Sequence, residues 1–145
     1  MFNTTTWISG KQDIGRKWYI IDAAGKPLGR LASVVAVYLT GKNRPDYVPN
    51  MDMGNFVIII NVDKVAFSGK KLNDKELVSY SGYPSGLKRR RVKDLLNVNP
   101  KRVVLHAVKG MLPKNKLLRN YLNRLKLYTG SEHKHQAQQP EKIEV

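Results

Sequence analysis

The side chains best equipped for chemistry in this sequence are cationic, and half of them lie in one stretch. Residues 86–128 carry 13 Lys and Arg against one carboxylate, whereas the rest of the chain carries 13 basic groups against 10 acidic ones. The stretch contains Lys88 and the unbroken run Arg89-Arg90-Arg91. Such groups bind phosphate oxygens, and phosphate contacts position a protein on nucleic acid without reading its sequence. The run predicts phosphate contact, although a cationic run can also be an ordinary solvated face.

A second cationic group recurs at helical spacing further along this stretch. Lys116, Arg119 and Lys126 fall on a stripe opposite a leucine-rich face, which predicts leucines packed inward and cations turned toward RNA. An amphipathic helix that docks on a sheet, or lies on a membrane surface, has the same pattern. The membrane alternative is disfavoured because a whole domain is available to cover the leucines.

A third candidate is the turn Gly25-Lys26-Pro27-Leu28-Gly29-Arg30, which lies between a predicted strand and a predicted helix. Helix N-termini bind phosphate well. The turn lacks the Gly-x-Gly-x-x-Gly pattern of dinucleotide sites, and no Gly-Lys pair in the chain follows the spacing of a P-loop. We therefore expect an RNA phosphate near Lys26 and Arg30, and no nucleotide cofactor.

Catalytic and metal-binding constellations are hard to assemble from these residues. His133 and His135 could ligate a metal, but only Glu132 offers a third ligand nearby, and a tail that hydrogen-bonds or stacks on RNA is the favoured alternative. The absence of cysteine excludes disulfides, thiolate zinc sites and a Cys nucleophile. Asp22 is typical of a turn or cap residue. We expect no metal and no catalysis.

Length and charge limit the possible classes of protein. The chain has 145 residues, a net charge of +15 and a pI of about 10.1. A charge this high destabilises a compact monomer unless a polyanion neutralises it. Nucleic acid is the commonest such partner, and an anionic membrane surface is the other. No apolar run approaches a membrane span, and the first residues lack the pattern of a secretion signal. We expect the protein to work in the compartment where it is made.

The elements that must position the cations begin with a βαβ unit. Residues 17–22 predict a buried strand, Pro27 opens a helix that ends at Gly41, and residues 56–61 form an apolar run typical of a strand covered on both faces. This order predicts a right-handed crossover and a parallel strand pair. We expect a three-layer α/β fold in which a mostly parallel central sheet has helices on both faces, plus basic loops and a C-terminal tail.

The rest of the chain predicts shorter elements and a single domain. The expected strands cover 64–71, 76–80 and 127–128, and the expected helices cover 88–96, 99–110 and 113–124. No linker or internal repeat divides the chain. We therefore expect one RNA-binding domain over 1–145, with an N-terminal extension over 1–16 and a polar tail over 131–145.

Six groups of residues, taken in order, also resemble a known family. They are Trp18-Tyr19 to Leu31-Ala32, Val57 to Asn61 with Ser68-Gly69-Lys70-Lys71, Ser81-Gly82-Tyr83-Pro84, Val108-Lys109-Gly110-Met111-Leu112-Pro113, Leu125-Lys126-Leu127-Tyr128, and the tail His133-x-His135. Together they resemble the ribosomal protein L13 family of the bacterial type, over roughly residues 7–140.

This resemblance implies an α/β domain that binds large-subunit rRNA early in assembly and performs no catalysis. The family positions that would face RNA are Lys70, Lys71, Tyr83, Lys109, Lys114, His133 and His135. The cationic groups described above add Lys26, Arg30, Lys88, Arg89, Arg90, Arg91, Lys116 and Arg119 as expected RNA-binding residues. Lys42, Arg44 and Arg124 are expected to bind RNA as well. The expected partners are large-subunit rRNA and neighbouring large-subunit proteins, without a membrane or a small-molecule substrate. The expected location is the ribosome in the cytoplasm, or in the plastid stroma if a plastid encodes the chain.

Two other functions compete with a structural role in the ribosome. An RNA-processing enzyme or nucleotide-dependent factor would need a carboxylate cluster or a phosphate loop, and the sequence has neither. A free regulatory RNA-binding protein would have the same composition. The family resemblance favours the ribosome.

Overall fold

A wholly parallel four-stranded sheet organises the computed structural model, which describes residues 15–144. In chain order the helices and strands are β1 (Trp18–Asp22), α1 (Leu28–Thr40), β2 (Phe56–Ile60), α2 (Lys71–Asp74), β3 (Glu76–Tyr80), β4 (Leu87–Arg91), α3 (Val92–Val98), α4 (Pro100–Met111), α5 (Leu118–Arg124), β5 (Leu125–Leu127) and β6 (Glu141–Lys142). The strand order in the sheet is β5-β2-β1-β6. The prediction of an α/β fold with a mostly parallel sheet is therefore confirmed. Residues 1–14 of the expected N-terminal extension lie outside the described residues.

Helix α1 connects the two central strands. Leu31, Val35 and Leu39 recur at helical spacing, and all three are fully buried. The helix ends at Gly41, whose φ of 83° is left-handed and whose amide donates to the carbonyl of Val37. A Cβ at Gly41 would lie 2.5 Å from the Met53 carbonyl oxygen, so the close approach of the following loop also requires glycine.

The two faces of the sheet are covered by different parts of the chain. Ile21 and Ile59 belong to the core cluster shared with helices α1, α3, α4 and α5. By strand alternation Trp18 and Phe56 lie on the opposite face, where their rings stack at 4.2 Å. The ring of His135 lies 4.9 Å from that of Trp18, so the C-terminal tail crosses this face before β6 pairs with β1. The tail is thus more structured than its polar sequence suggests, and residues 136–138 form a 3-10 turn.

A separate antiparallel hairpin, β3–β4, carries the arginine run and corrects the sequence prediction. Residues 88–91 were expected to begin a helix, but they form the second strand of the hairpin. Their register opposite β3 pairs Val78 with Arg89 and Glu76 with Arg91. Helix α3 begins only at Val92, the first residue of this segment that is buried. The strand forms because the chain reverses through residues 81–86, where Ser81 donates its amide to the Gly86 carbonyl at 3.3 Å.

The remaining helices complete the core, with bounds that differ from the prediction. Asn99 caps α4 through its side chain, which accepts from the Arg102 amide, as expected from Asn99-Pro100. Helix α5 begins at Leu118 rather than directly after Pro113. The strand expected over 64–71 is absent, because residues 62–64 form a 3-10 turn and α2 begins at Lys71. Among the described residues, no helix has the length and apolar character needed to cross a membrane.

Candidate nucleic-acid interface

The hairpin presents a surface of cations and aromatic rings that we call the hairpin patch. Every residue of β4 is exposed, and Tyr80 and Tyr83 are 67% and 75% exposed. Exposed rings of this kind can stack on bases while neighbouring cations bind phosphates. The hairpin patch consists of Tyr80, Tyr83, Lys88, Arg89, Arg90 and Arg91.

The two faces of the hairpin differ in what lies beside them. Because the side chains of β4 alternate, Arg89 and Arg91 share the face of Val78, which is 53% exposed. Lys88 and Arg90 point to the other face. There they line a groove of about 390 Å³ together with Leu77 and Leu95, and with Arg102 and His106 from α4.

A second groove, which we call the α1–α4 groove, collects residues that are distant in sequence. It lies between the start of α1, residues 66–75 and the end of α4, and has a volume of about 740 Å³. Among its lining residues are Arg30 and Lys71, which were predicted to bind RNA, and Lys75 and His106, which were not. Lys70 lines an adjoining depression with Lys71 and Lys75, whereas Lys26 is half-buried in the turn and does not line the groove.

The start of α1 leaves backbone donors at this groove. The Leu28 amide donates to the Ala66 carbonyl at 3.1 Å, and the Ala66 amide donates to the Lys26 carbonyl at 3.0 Å. The Gly29 and Arg30 amides belong to the first turn, where helical geometry supplies no backbone acceptor. Within the described residues no side chain caps this helix. The geometry therefore suits the anion expected at this turn.

Arg124 is not a surface residue, and the prediction that it contacts RNA is wrong. It is only 5% exposed. Its Nη1 donates to Oδ2 of Asp52 at 2.8 Å, and its Nη2 donates to Oδ1 of the same carboxylate. The guanidinium carbon lies 5.5 Å from the ring centroid of Tyr121, whose hydroxyl pKa is raised by burial and by the nearby Asp52 charge. The charge of Arg124 is thus paired with Asp52, and this pair holds the loop of residues 44–55 against α5.

Arg44 is also engaged within the protein. Its Nε and Nη2 each donate to the Asp46 carboxylate at 3.0 Å, and its Nη1 donates to the Gly15 carbonyl at 2.9 Å. The hydrogen bonds between the two side chains raise the pKa of Arg44 and lower that of Asp46. Arg44 therefore holds its own loop in place, and its guanidinium is already paired with Asp46. Lys42 beside it is exposed.

The predicted stripe of cations on the last helix is divided by the fold. Lys109, Lys114, Lys116 and Arg119 are exposed around the connection from α4 to α5. Lys126 lies on β5 opposite Ile58, so it belongs to the sheet face that the C-terminal tail crosses. Lys116 precedes α5 and Lys126 follows it, so they do not form a stripe on one helix.

The tail histidines act as aromatic packing groups in the free protein. His133 and His135 are both half-buried. Their rings lie 6.4 Å and 6.1 Å from the ring of Tyr128. In the part of the chain that the structure describes, no three His, Cys, Asp or Glu side chains gather in a way that could hold a metal ion. RNA contact by these histidines stays a prediction.

Asp22 has the structural role that the sequence indicates. Its Oδ1 accepts the Ala24 amide at 3.0 Å and the Asn61 side-chain amide at 2.9 Å. The bond from Ala24, followed by that from Asn61, lowers the Asp22 pKa. The carboxylate therefore ties the β1 turn to the residue after β2, where Asn61 adopts a left-handed φ of 54°.

Sequence reasoning missed Lys75, Arg102 and His106. Arg102 and His106 are four residues apart, which places them on one side of a helix, opposite the buried Val103 and Val104. That spacing is visible in the sequence. The sequence did not show which face of the hairpin Arg102 and His106 would approach, because it predicted a helix for residues 88–91.

Comparison with known proteins assigns the chain to a family. A family model described as Ribosomal protein L13 matches residues 16–134. A large ribosomal subunit protein uL13 from Caldanaerobacter subterraneus subsp. tengcongensis is 54% identical over 140 residues, which cover 97% of this chain and 98% of the relative. The chain belongs to the ribosomal protein L13 family. A uL13 from Thermus thermophilus is likewise 54% identical, over 129 residues that cover 89% of this chain and 92% of that protein.

Membership of the L13 family settles one question about chemistry. The family is one of structural ribosomal proteins, and the prediction that the chain is not an enzyme is confirmed on that ground. The matched residues 16–134 include the hairpin patch, the α1–α4 groove and the Arg124–Asp52 pair. The L13 core and both candidate surfaces are thus parts of one matched segment.

Proposed function

We propose that the protein is a structural constituent of the large ribosomal subunit that binds rRNA and supports early subunit assembly. The observation that carries this proposal is the hairpin patch, where four consecutive cations are exposed on a hairpin outside the main sheet. Such an arrangement has no role in holding the core together. It fits a polyanion whose phosphates meet several cations at once.

The mechanism we propose is electrostatic positioning. The α/β core fixes the geometry, and the hairpin patch, the α1–α4 groove and the exposed cations at the α4–α5 connection neutralise phosphates of folded rRNA. Such contacts set orientation without reading bases. Large-subunit rRNA and neighbouring ribosomal proteins are the proposed partners, translation is the proposed process, and the ribosome in the cytoplasm is the proposed location.

Sucrose-gradient sedimentation at rising salt tests ribosomal association. We expect the protein to sediment with large subunits at low salt and to be released as salt rises, because each neutralised phosphate adds roughly 0.9 to the log–log slope of affinity against salt. A protein found only in free fractions at low salt contradicts the proposal. To test the role in assembly, the protein is followed through precursor particles. Entry only into finished subunits would contradict an early role.

A matched pair of variants tests the hairpin patch. Arg89→Gln, Arg90→Gln and Arg91→Gln together remove three exposed charges, so the salt slope should fall by roughly 3 while the unfolding midpoint stays close to wild type. The control removes three exposed lysines outside the candidate surfaces, with Lys64→Gln, Lys101→Gln and Lys142→Gln. Equal effects of the two variants on rRNA affinity would mean that total charge, and not the hairpin, governs binding.

A further inference from the structure

The α1–α4 groove contains two glycines that the fold does not require. Gly29 in α1 and Gly110 in α4 both line the groove. Neither has a positive φ, and no described atom outside its own turn and chain neighbours lies within 4 Å of the position a Cβ would take. Glycine is less favourable in a helix than any residue except proline. Their lack of side chains therefore leaves open space in the groove without serving the packing of the protein itself.

The chemistry of the groove wall indicates what could use this space. Arg30, Lys71 and Lys75 supply positive charge, and Phe67 and Met111 supply apolar surface. The groove volume of about 740 Å³ is in the range of small-ligand sites, roughly 300–1,000 Å³. Cations beside an apolar wall fit a flat ring that carries phosphate, because unpaired bases stack on apolar and aromatic side chains while cations hold the backbone.

We propose that the α1–α4 groove binds a single unpaired nucleotide of large-subunit rRNA, an inference that rests on the proposed function. The base lies between Phe67 and Met111, and its phosphate meets Arg30, Lys71 and Lys75. Glycine at positions 29 and 110 lets the nucleotide approach the backbone of both helices. The groove beside the hairpin, at about 390 Å³, has roughly half the volume of the α1–α4 groove.

Filling the groove without weakening the fold tests this assignment. Gly110→Leu places a side chain in the open space and replaces glycine with a good helix former, so its melting temperature should equal or exceed that of wild type. The probes are a mixed-sequence single-stranded RNA decamer and the duplex of the same decamer with its complement. We expect affinity for the single strand to fall at least tenfold and affinity for the duplex to change less than twofold. Gly29→Ala should lower single-strand affinity in the same direction by a smaller factor.

Asn97→Leu provides the matched control, because Asn97 is an exposed position on α3 that does not line the groove. This variant should leave both affinities unchanged. Unchanged single-strand affinity in Gly110→Leu, or equal loss for both probes, overturns the nucleotide site. The nucleotide site is also overturned if Gly110→Leu binds both RNA probes as wild type does but no longer binds a neighbouring ribosomal protein. If wild type sediments with large subunits and Gly110→Leu has no effect, only this inference fails, whereas failure of wild type to bind rRNA removes the proposed function itself.

Discussion

Arg124 shows how a cationic residue can serve the protein's own structure instead of binding an RNA phosphate. The side chain lies among Tyr121, Gly54 and Asp52, and its Nε has no hydrogen-bond partner among the described residues. Removing one member of a buried ion pair leaves the other charge uncompensated, which is more damaging than losing an exposed pair. Arg124 therefore contributes to stability through its ion pair with Asp52, which lies 72 positions away in sequence.

We predict that Arg124→Gln lowers the free energy of unfolding by about 3 kcal/mol, because the partly buried Asp52 carboxylate loses its bidentate partner and keeps only the longer contact of 3.7 Å with Arg16. Urea unfolding measures this change. Arg119→Gln, at an exposed position on the same helix, should change stability by less than about 0.5 kcal/mol. In combination with Asp52→Asn the loss should be less than additive. Equal stability of the Arg119 and Arg124 variants would contradict the role assigned to the pair.

At the scale of the elements, local patterns predicted β1, α1, β2 and β3, but not β4, which completes the hairpin, or the structure of the tail. The apolar spacing of α1 and the apolar run of β2 depend on residues close in sequence, and the structure has both elements at nearly the predicted bounds. The arginine run was misassigned because arginine is a good helix former, and its strand exists only through pairing with β3. Strand β6 has two polar residues and is defined by contact with β1. For the same reason, the grooves could not be predicted from sequence, although most of the cations that line them could.

The turn of the hairpin gives a prediction for that element. We expect Gly86→Ala to open the hairpin while leaving the core intact, because a Cβ there would lie 2.1 Å from Ser81 Oγ and 2.8 Å from the Tyr83 carbonyl oxygen. A two-stranded hairpin has little stability of its own. Amide hydrogen exchange should therefore accelerate across residues 76–91, with α1 and β2 protected as in wild type, and rRNA affinity should fall.

Ser85→Gly is the complementary control for this turn. Ser85 has a left-handed φ of 61°, which glycine adopts without strain. This variant should slow exchange in the hairpin and preserve rRNA affinity. Unchanged exchange in Gly86→Ala, or loss of protection in α1 as well, would contradict the view that the hairpin opens as an independent unit.

At the scale of the whole molecule, the net charge of +15 acts in opposite directions on folding and on binding. In the free protein the exposed cations repel one another, and salt weakens this repulsion because the Debye length falls from about 10 Å at 0.1 M to about 3 Å at 1 M. In the complex the same cations bind phosphates, and salt weakens that attraction. Raising sodium chloride from 0.05 to 0.5 M should therefore increase the melting temperature of the free protein while lowering its affinity for large-subunit rRNA. Calorimetry and filter binding in identical buffers measure the two effects, and potassium chloride controls for the identity of the cation. A melting temperature that falls with salt would mean that exposed ion pairs such as Lys17–Glu141 outweigh the repulsion, and that the exposed cations are too widely spaced to act as one surface.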